Sequence, residues 1–215
     1  MSDFAELVRG RTVAVVGRAP ILPGQGDQID AHDVVYRTAN TPVGGDWGNR
    51  FDVAFLNWQD SRDIYQRRLS NVLDVIADVP WWVYKAKPRE VRRTGNWRTA
   101  RWPAINNPNA VTLMLWDLIR HHEPASVTVY AADLYASGPG NAYTPDIDPR
   151  PPDGQAAGII KHRPFEQRKV HKAVVKTGRI IGDPRYLKAV ALTDAQYQTV
   201  IDDWNRVYRF PQPTV

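Results

Sequence analysis

The 215-residue chain has no cysteine. That excludes disulfides, zinc–thiolate sites and a cysteine nucleophile, and it suits a reducing compartment. Long apolar runs are missing too. No stretch reaches membrane-spanning length, and no charged-then-apolar signal segment opens the sequence. Internal repeats and low-complexity tracts are absent. What is plentiful is tryptophan (eight) and proline (seventeen), in a composition otherwise ordinary for a soluble globular protein. The net charge of +5 favours anionic ligands or nucleic acid without selecting either. The length fits one compact α/β domain with a sizeable core, so 1–215 is read as a single domain.

The most informative stretch is 12–40. Val13-Ala14-Val15-Val16 is short, β-branched and cut off by Gly17, the pattern of a buried parallel strand. Gly17 permits a sharp turn and close approach of a ligand to the backbone. A second apolar run, Val34-Val35-Tyr36, ends in Arg37 and Asn40. Polar residues just past the carboxyl ends of buried strands are how open α/β sheets build a ligand crevice. Ala19 and Pro20 rule out a GxGxxG fingerprint, and no Gly-Lys-Ser/Thr follows to make a Walker loop.

Further along, Phe51–Trp58 reads as a third strand with Asn57 on the crevice side, and Ser61–Asp78 as an amphipathic helix. Trp81–Tyr84 is a short strand. The segment 85–102 carries seven Lys or Arg, one Glu and two Trp. Arg92, Arg93, Trp97 and Arg98 would there contact an acceptor or single-stranded nucleic acid, or else the segment is a solvated loop or lid whose two Trp fold back. Pro108–His122 reads as a helix with Pro near its start, Ser126–Tyr130 as a strand, and 137–158 as a Gly- and Pro-rich loop. A helix is expected from His162–Glu166 to about Lys176, stopped by Gly178, and a last one over Leu192–Val207, capped by Thr193 or Asp194. His121-His122 would complement a helix dipole, and His171 reads as a helix surface residue. Asp146-Ile147-Asp148 spells the DxD of metal-dependent glycosyltransferases but sits in a Pro-rich loop, where it reads as a turn.

Three segments in order carry a family resemblance across about 11–182. Ile29-Asp30-Ala31-His32-Asp33-Val34-Val35-Tyr36-Arg37 resembles the first motif of animal sialyltransferases, and Gly17-Arg18-Ala19-Pro20-Ile21-Leu22 is similar to the glycine turn of the bacterial type. Pro108, with Ala132-Asp133-Leu134-Tyr135 after a strand, resembles the second motif, and His162 followed by Glu166 the third. There are departures. Arg18 stands where the families have an Asn, one extra residue separates Arg37 from Asn40, Asn109-Ala110-Val111 replace Ser-Thr-Gly, and three rather than four residues separate His162 from Glu166.

The resemblance implies a Rossmann-like fold (a GT-A variant), a parallel sheet with helices on both faces. It also implies an inverting, metal-independent glycosyltransferase with no cofactor beyond its nucleotide-sugar co-substrate, in the first instance a CMP-sugar. Gly17, Arg18, Ala19, Arg37, Asn40, Asn57 and Asp133 would bind the donor. His162 would be the base that takes the acceptor proton, work that suits an imidazole; otherwise it is a helix-capping or surface histidine. Glu166 would orient it, or be an ordinary first-turn acid. Tyr135 and Tyr143 would hold the departing phosphate, or pack as loop tyrosines. His32 belongs to the first motif with a structural role open to it. The acceptor is a glycan, a protein or modified nucleic acid. Lacking the animal family's disulfide and anchor, the chain is expected in the cytoplasm, bacterial or viral. From another class, a non-catalytic nucleotide or nucleic-acid binding module on the same fold also accommodates the altered second motif.

Overall fold

The structure, a computed structural model, describes residues 3–56, 76, 78–86, 96–137 and 162–208, with side chains to 206. Seven parallel strands form one sheet: β1 Thr12–Val16, β2 Val34–Thr38, β3 Val53–Leu56, β4 Trp81–Tyr84, β5 Asn96–Thr99, β6 Ser126–Tyr130 and β7 Ile180–Gly182. Their order is β5-β4-β3-β2-β1-β6-β7. The helices are α1 Phe4–Val8, α2 Gly26–Asp30, α3 Ala110–His121, α4 Pro164–Val175, α5 Pro184–Ala191 and α6 Asp194–Tyr208. This is the expected Rossmann-like α/β architecture.

Alternation along the strands sorts the core. Val13, Val15, Val34, Tyr36, Val53, Phe55, Val83, Val127 and Val129 face the layer built from α1, α3, α4, α5 and α6. Ala14, Val16 and Val35 pack on Ile29 of α2, and Ala54, Leu56, Trp82 and Tyr84 pack on Ile76. Parallel strands buried on both faces need apolar residues at every position, which is why the first two read as unbroken runs. The helix expected over 61–78 lies almost wholly outside the described residues.

Three features differ from the sequence reading. Residues 96–99, read as part of a loop, form edge strand β5, paired in register with β4 from Trp81↔Asn96 to Tyr84↔Thr99. Its polar sequence suits a strand with one side unpaired. Helix α3 starts at Ala110, not Pro108, because the Asn109 side chain caps it by accepting from Thr112 N at 2.8 Å. β7 and α5 follow Gly178, which leaves α4 at φ +74°, and Asp183 caps α5 through Tyr186 N at 2.9 Å. Helix α6 has the Thr193 cap that the sequence offered, in a reciprocal box: Gln196 N donates to Thr193 Oγ1 and Thr193 N to Gln196 Oε1. Among the described residues no helix is long and apolar enough to cross a membrane.

Candidate functional site

The chain lays strands β2 to β5 outward on one side of β1, then returns to place β6 and β7 on the other. The direction reverses between β1 and β6, and ligands of open parallel sheets bind beyond the carboxyl ends of the strands at such a point. Here the two loops are joined. Gly17 N donates to Tyr130 O at 2.9 Å and Ala19 N to Ala131 O at 2.8 Å. A Cβ on Gly17 would lie 2.4 Å from Ala131 O and 3.0 Å from Val111 Cγ2. Gly17 is therefore required by backbone packing rather than by ligand approach, and the Gly17 and Ala19 amides are spent inside the fold.

The amino end of α3 stands beside this junction, and two of the expected catalytic groups reach it. His162 Nδ1 donates to Asn107 O at 2.8 Å. Tyr135 Oη accepts from Asn109 Nδ2 at 3.4 Å. The buried amide of Gln167 ties the segments together: Oε1 accepts from Asn109 N at 3.0 Å and Nε2 donates to His162 O at 2.7 Å. A carbonyl partner at Nδ1 requires the proton there, so the neutral ring of His162 carries its lone pair on Nε2. That is the state a general base needs.

The backbone around these groups is strained. Six described non-glycine residues have left-handed φ, and five of them frame this place: Asn107 (+47°), Ala131 (+48°), Leu134 (+52°), Tyr135 (+68°) and Arg163 (+49°). Asn107 tolerates this region, and each of the other four costs about 1–2 kcal/mol. Helix α6 holds two of them by their carbonyls, through Tyr197 Oη to Leu134 O at 2.8 Å and Trp204 Nε1 to Tyr135 O at 3.0 Å. Strain held in place by surrounding structure concentrates at functional sites.

Other expected site residues sort into those at the carboxyl edge and those committed elsewhere. With its amide oxygen turned toward Arg18, Asn40 accepts from both guanidinium nitrogens at 2.9 and 3.2 Å, so these two stay together past β1 and β2. Arg37 does not line the crevice. It is fully buried, alternates with Val35 onto the α2 face, and donates from Nε to Arg50 O at 2.7 Å. Burial lowers its pKa to about 10, against the pull of Asp30 and Asp52. Asp133 is likewise internal. Its carboxylate accepts from Tyr135 N at 2.9 Å, from Ser137 N at 3.0 Å and from the Ser137 hydroxyl, closing the turn after β6. Glu166 does not orient His162; it pairs with Arg163 at 3.1 Å, and Asn107 O holds the ring instead. Arg98 faces α3 rather than a ligand, bound by both nitrogens to Asp117 at 2.5 and 2.9 Å, while Trp97 is exposed on the edge strand. Asn57, Tyr143, Arg92, Arg93 and Asp146–Asp148 lie outside the described residues.

The rest of the first motif is scaffold. Asp33 accepts from Thr12 N and Oγ1 at 2.8 and 2.9 Å, and Asp30 from Asn49 N and Arg50 N. His32 bridges Gln28 O and Thr128 Oγ1. Two other histidines are interior. His171 is no surface residue: it is buried between Thr112 Oγ1 at 2.8 Å and Tyr186 Oη at 2.9 Å, and burial holds its pKa down to about 3. His122 is buried with its ring edge-on to Phe4.

Sequence reasoning missed Asn107, Gln167 and Lys85, whose Nζ donates to Asn107 Oδ1 at 3.0 Å. One signal existed: Asn is the non-glycine residue most at ease in the left-handed region, and Asn107 precedes Pro108 at a helix start. Gln167 works across 58 residues, a link no local pattern carries. No family model and no curated protein matches the chain.

Proposed function

We propose that the protein is an inverting glycosyltransferase, moving a sugar from a nucleotide sugar, a CMP-activated one in the first instance, to an acceptor hydroxyl. The observation that carries this reading is the convergence of His162 and Tyr135 on one helix amino end, Asn107–Asn109, at the carboxyl edge of the sheet. In the proposed reaction His162 Nε2 takes the acceptor proton as the acceptor oxygen attacks the anomeric carbon. The bond to the phosphate oxygen breaks on the opposite face, and its electron pair leaves with the nucleotide. The Tyr135 hydroxyl donates to that oxygen. The resemblance assigns Tyr143 the same work. Arg18 and Asn40 lie where the nucleotide would sit, and the positive end of α3 favours its phosphate. A positioned general base is worth about 10²–10⁴ in rate, and one phosphate donor about 10²–10³. A cytoplasmic location accords with a cysteine-free chain.

The test is hydrolysis of nucleotide sugars, with thermal shift against the same compounds. Turnover of a CMP-sugar that His162→Ala reduces at least a hundredfold, with the fold intact, supports the reading. Stabilisation by a nucleotide without turnover marks a non-catalytic binding module. No stabilisation by any nucleotide sinks the donor assignment.

A further inference from the structure

Trp102, three residues past β5, is 45 % exposed. An indole left in water forfeits a large burial gain. Yet the ring is not loose. Its Nε1–H donates to Lys85 O at 2.7 Å, and the Lys85 ammonium lies 5.6 Å from the ring centroid. Lys85 Nζ in turn donates to Asn107 Oδ1 at 3.0 Å, and Asn107 O accepts from His162 Nδ1 at 2.8 Å. Three hydrogen bonds thus tie an exposed aromatic ring to the imidazole.

The carboxyl edge of the sheet differs in character along its length. Arg18, Asn40 and Tyr135 stand past β1, β2 and β6, at the reversal point. Trp102 follows β5 and is fastened to the end of β4, three places from β1 in the sheet. We infer that the acceptor lies along this second stretch, with a neutral hexopyranose ring stacked on Trp102 and one of its hydroxyls presented to His162 Nε2. This deepens the glycosyl-transfer reading and rests on it. The C–H face of a pyranose carries partial positive charge and complements the negative face of an indole. A nucleic acid acceptor would need a track of cations beside its stacked base. Among the described residues the cation at the ring is the Lys85 ammonium, held by Asn107 Oδ1, while Arg98 binds Asp117 and Arg101 Nη1 lies 3.2 Å from His121 Nδ1.

The experiment titrates ¹⁵N-labelled protein with methyl hexopyranosides and, separately, with single-stranded oligothymidylate. The indole N–H signal is assigned to Trp102 by its loss in Trp102→Phe. The glycosides are expected to move that signal and the oligonucleotide to leave it in place. In transfer assays Trp102→Phe should raise the ratio of acceptor KM to donor KM about tenfold, or ~1.4 kcal/mol. A signal moved by oligothymidylate and by no glycoside overturns the proposal in favour of a nucleobase platform, and a signal moved by neither overturns it outright. If glycosides move the signal but no donor is turned over, the transfer reading fails and the sugar-binding face stands.

Discussion

His162 Nδ1 donates to the carbonyl oxygen of Asn107 at 2.8 Å, across 55 residues of chain. That carbonyl is aimed by a left-handed Asn107, whose side chain Lys85 holds at 3.0 Å. The arrangement fixes one tautomer. ¹⁵N chemical shifts of labelled histidine at alkaline pH should show His162 neutral with its proton on Nδ1. Asn107→Gly keeps the backbone conformation accessible but drops the lysine contact, so it should loosen this preference without unfolding the protein. A proton found on Nε2 in the wild type would remove the base role.

Gly17 supplies a prediction whose sign is decided by space. Replacing glycine with alanine where the backbone permits it stabilises a protein by about 0.4–1 kcal/mol. At Gly17 the added methyl would meet Ala131 O at 2.4 Å, a backbone atom that cannot step aside. Gly17→Ala is therefore expected to cost about 1–3 kcal/mol in urea unfolding without any ligand. Unchanged stability combined with weaker nucleotide binding would restore Gly17 as a ligand contact.

The Asp117–Arg98 pair joins α3 to the edge strand. Burial alone would raise the Asp117 carboxyl, but the hydrogen bonds and charge of Arg98, together with His122 and the Arg101 N–H, outweigh it and bring the pKa down to about 2. The Asp117 side chain is fully buried and that of Arg98 is 16 % exposed. Asp117→Ala should destabilise by about 3–5 kcal/mol by leaving the guanidinium unpaired, and Asp117→Leu with Arg98→Met should recover most of that. Because the folded pKa is depressed, the pair's contribution is complete above about pH 4 and is lost as pH falls toward about 2. A double variant no more stable than the single one would contradict this.

Much of this architecture was legible because burial on both faces leaves a chemical trace. Val13–Val16 and Val34–Tyr36 have no polar interruption and a glycine or charge at the end, which fits little besides central parallel strands. β5 left no such trace: Asn96, Arg98 and Thr99 are half-exposed, and only pairing with β4, whose position in space the sequence does not state, makes them a strand. In the candidate site, His162 and Tyr135 stood out by residue type, while their supports, the Asn107 carbonyl and the side-chain amides of Asn109 and Gln167, act across gaps in sequence that no local pattern carries. Arg37 shows the converse. Its place at a strand end was readable, but alternation turned its side chain under residues 50–51 instead of out of the crevice.

His171 gives the pH dependence its clearest window. Its pKa is lowered by burial to about 3, from an ordinary value near 6.5, and both ring nitrogens are engaged, with Thr112 and Tyr186. The unfolded chain binds a proton here that the folded protein refuses. This contribution to stability is complete above pH 6.5 and falls by about 1.4 kcal/mol per unit as pH drops from there toward 3. Urea unfolding at pH 5 should give a protein about 2 kcal/mol less stable than at pH 7. Asp117 does not interfere, since its own window lies below pH 4. His171→Gln loses some stability at both pH values, but the slope attributable to this residue should vanish, leaving the two midpoints closer together. An unchanged slope in that variant would show that the proton is taken up elsewhere, and that the Thr112–His171–Tyr186 contact opens to solvent.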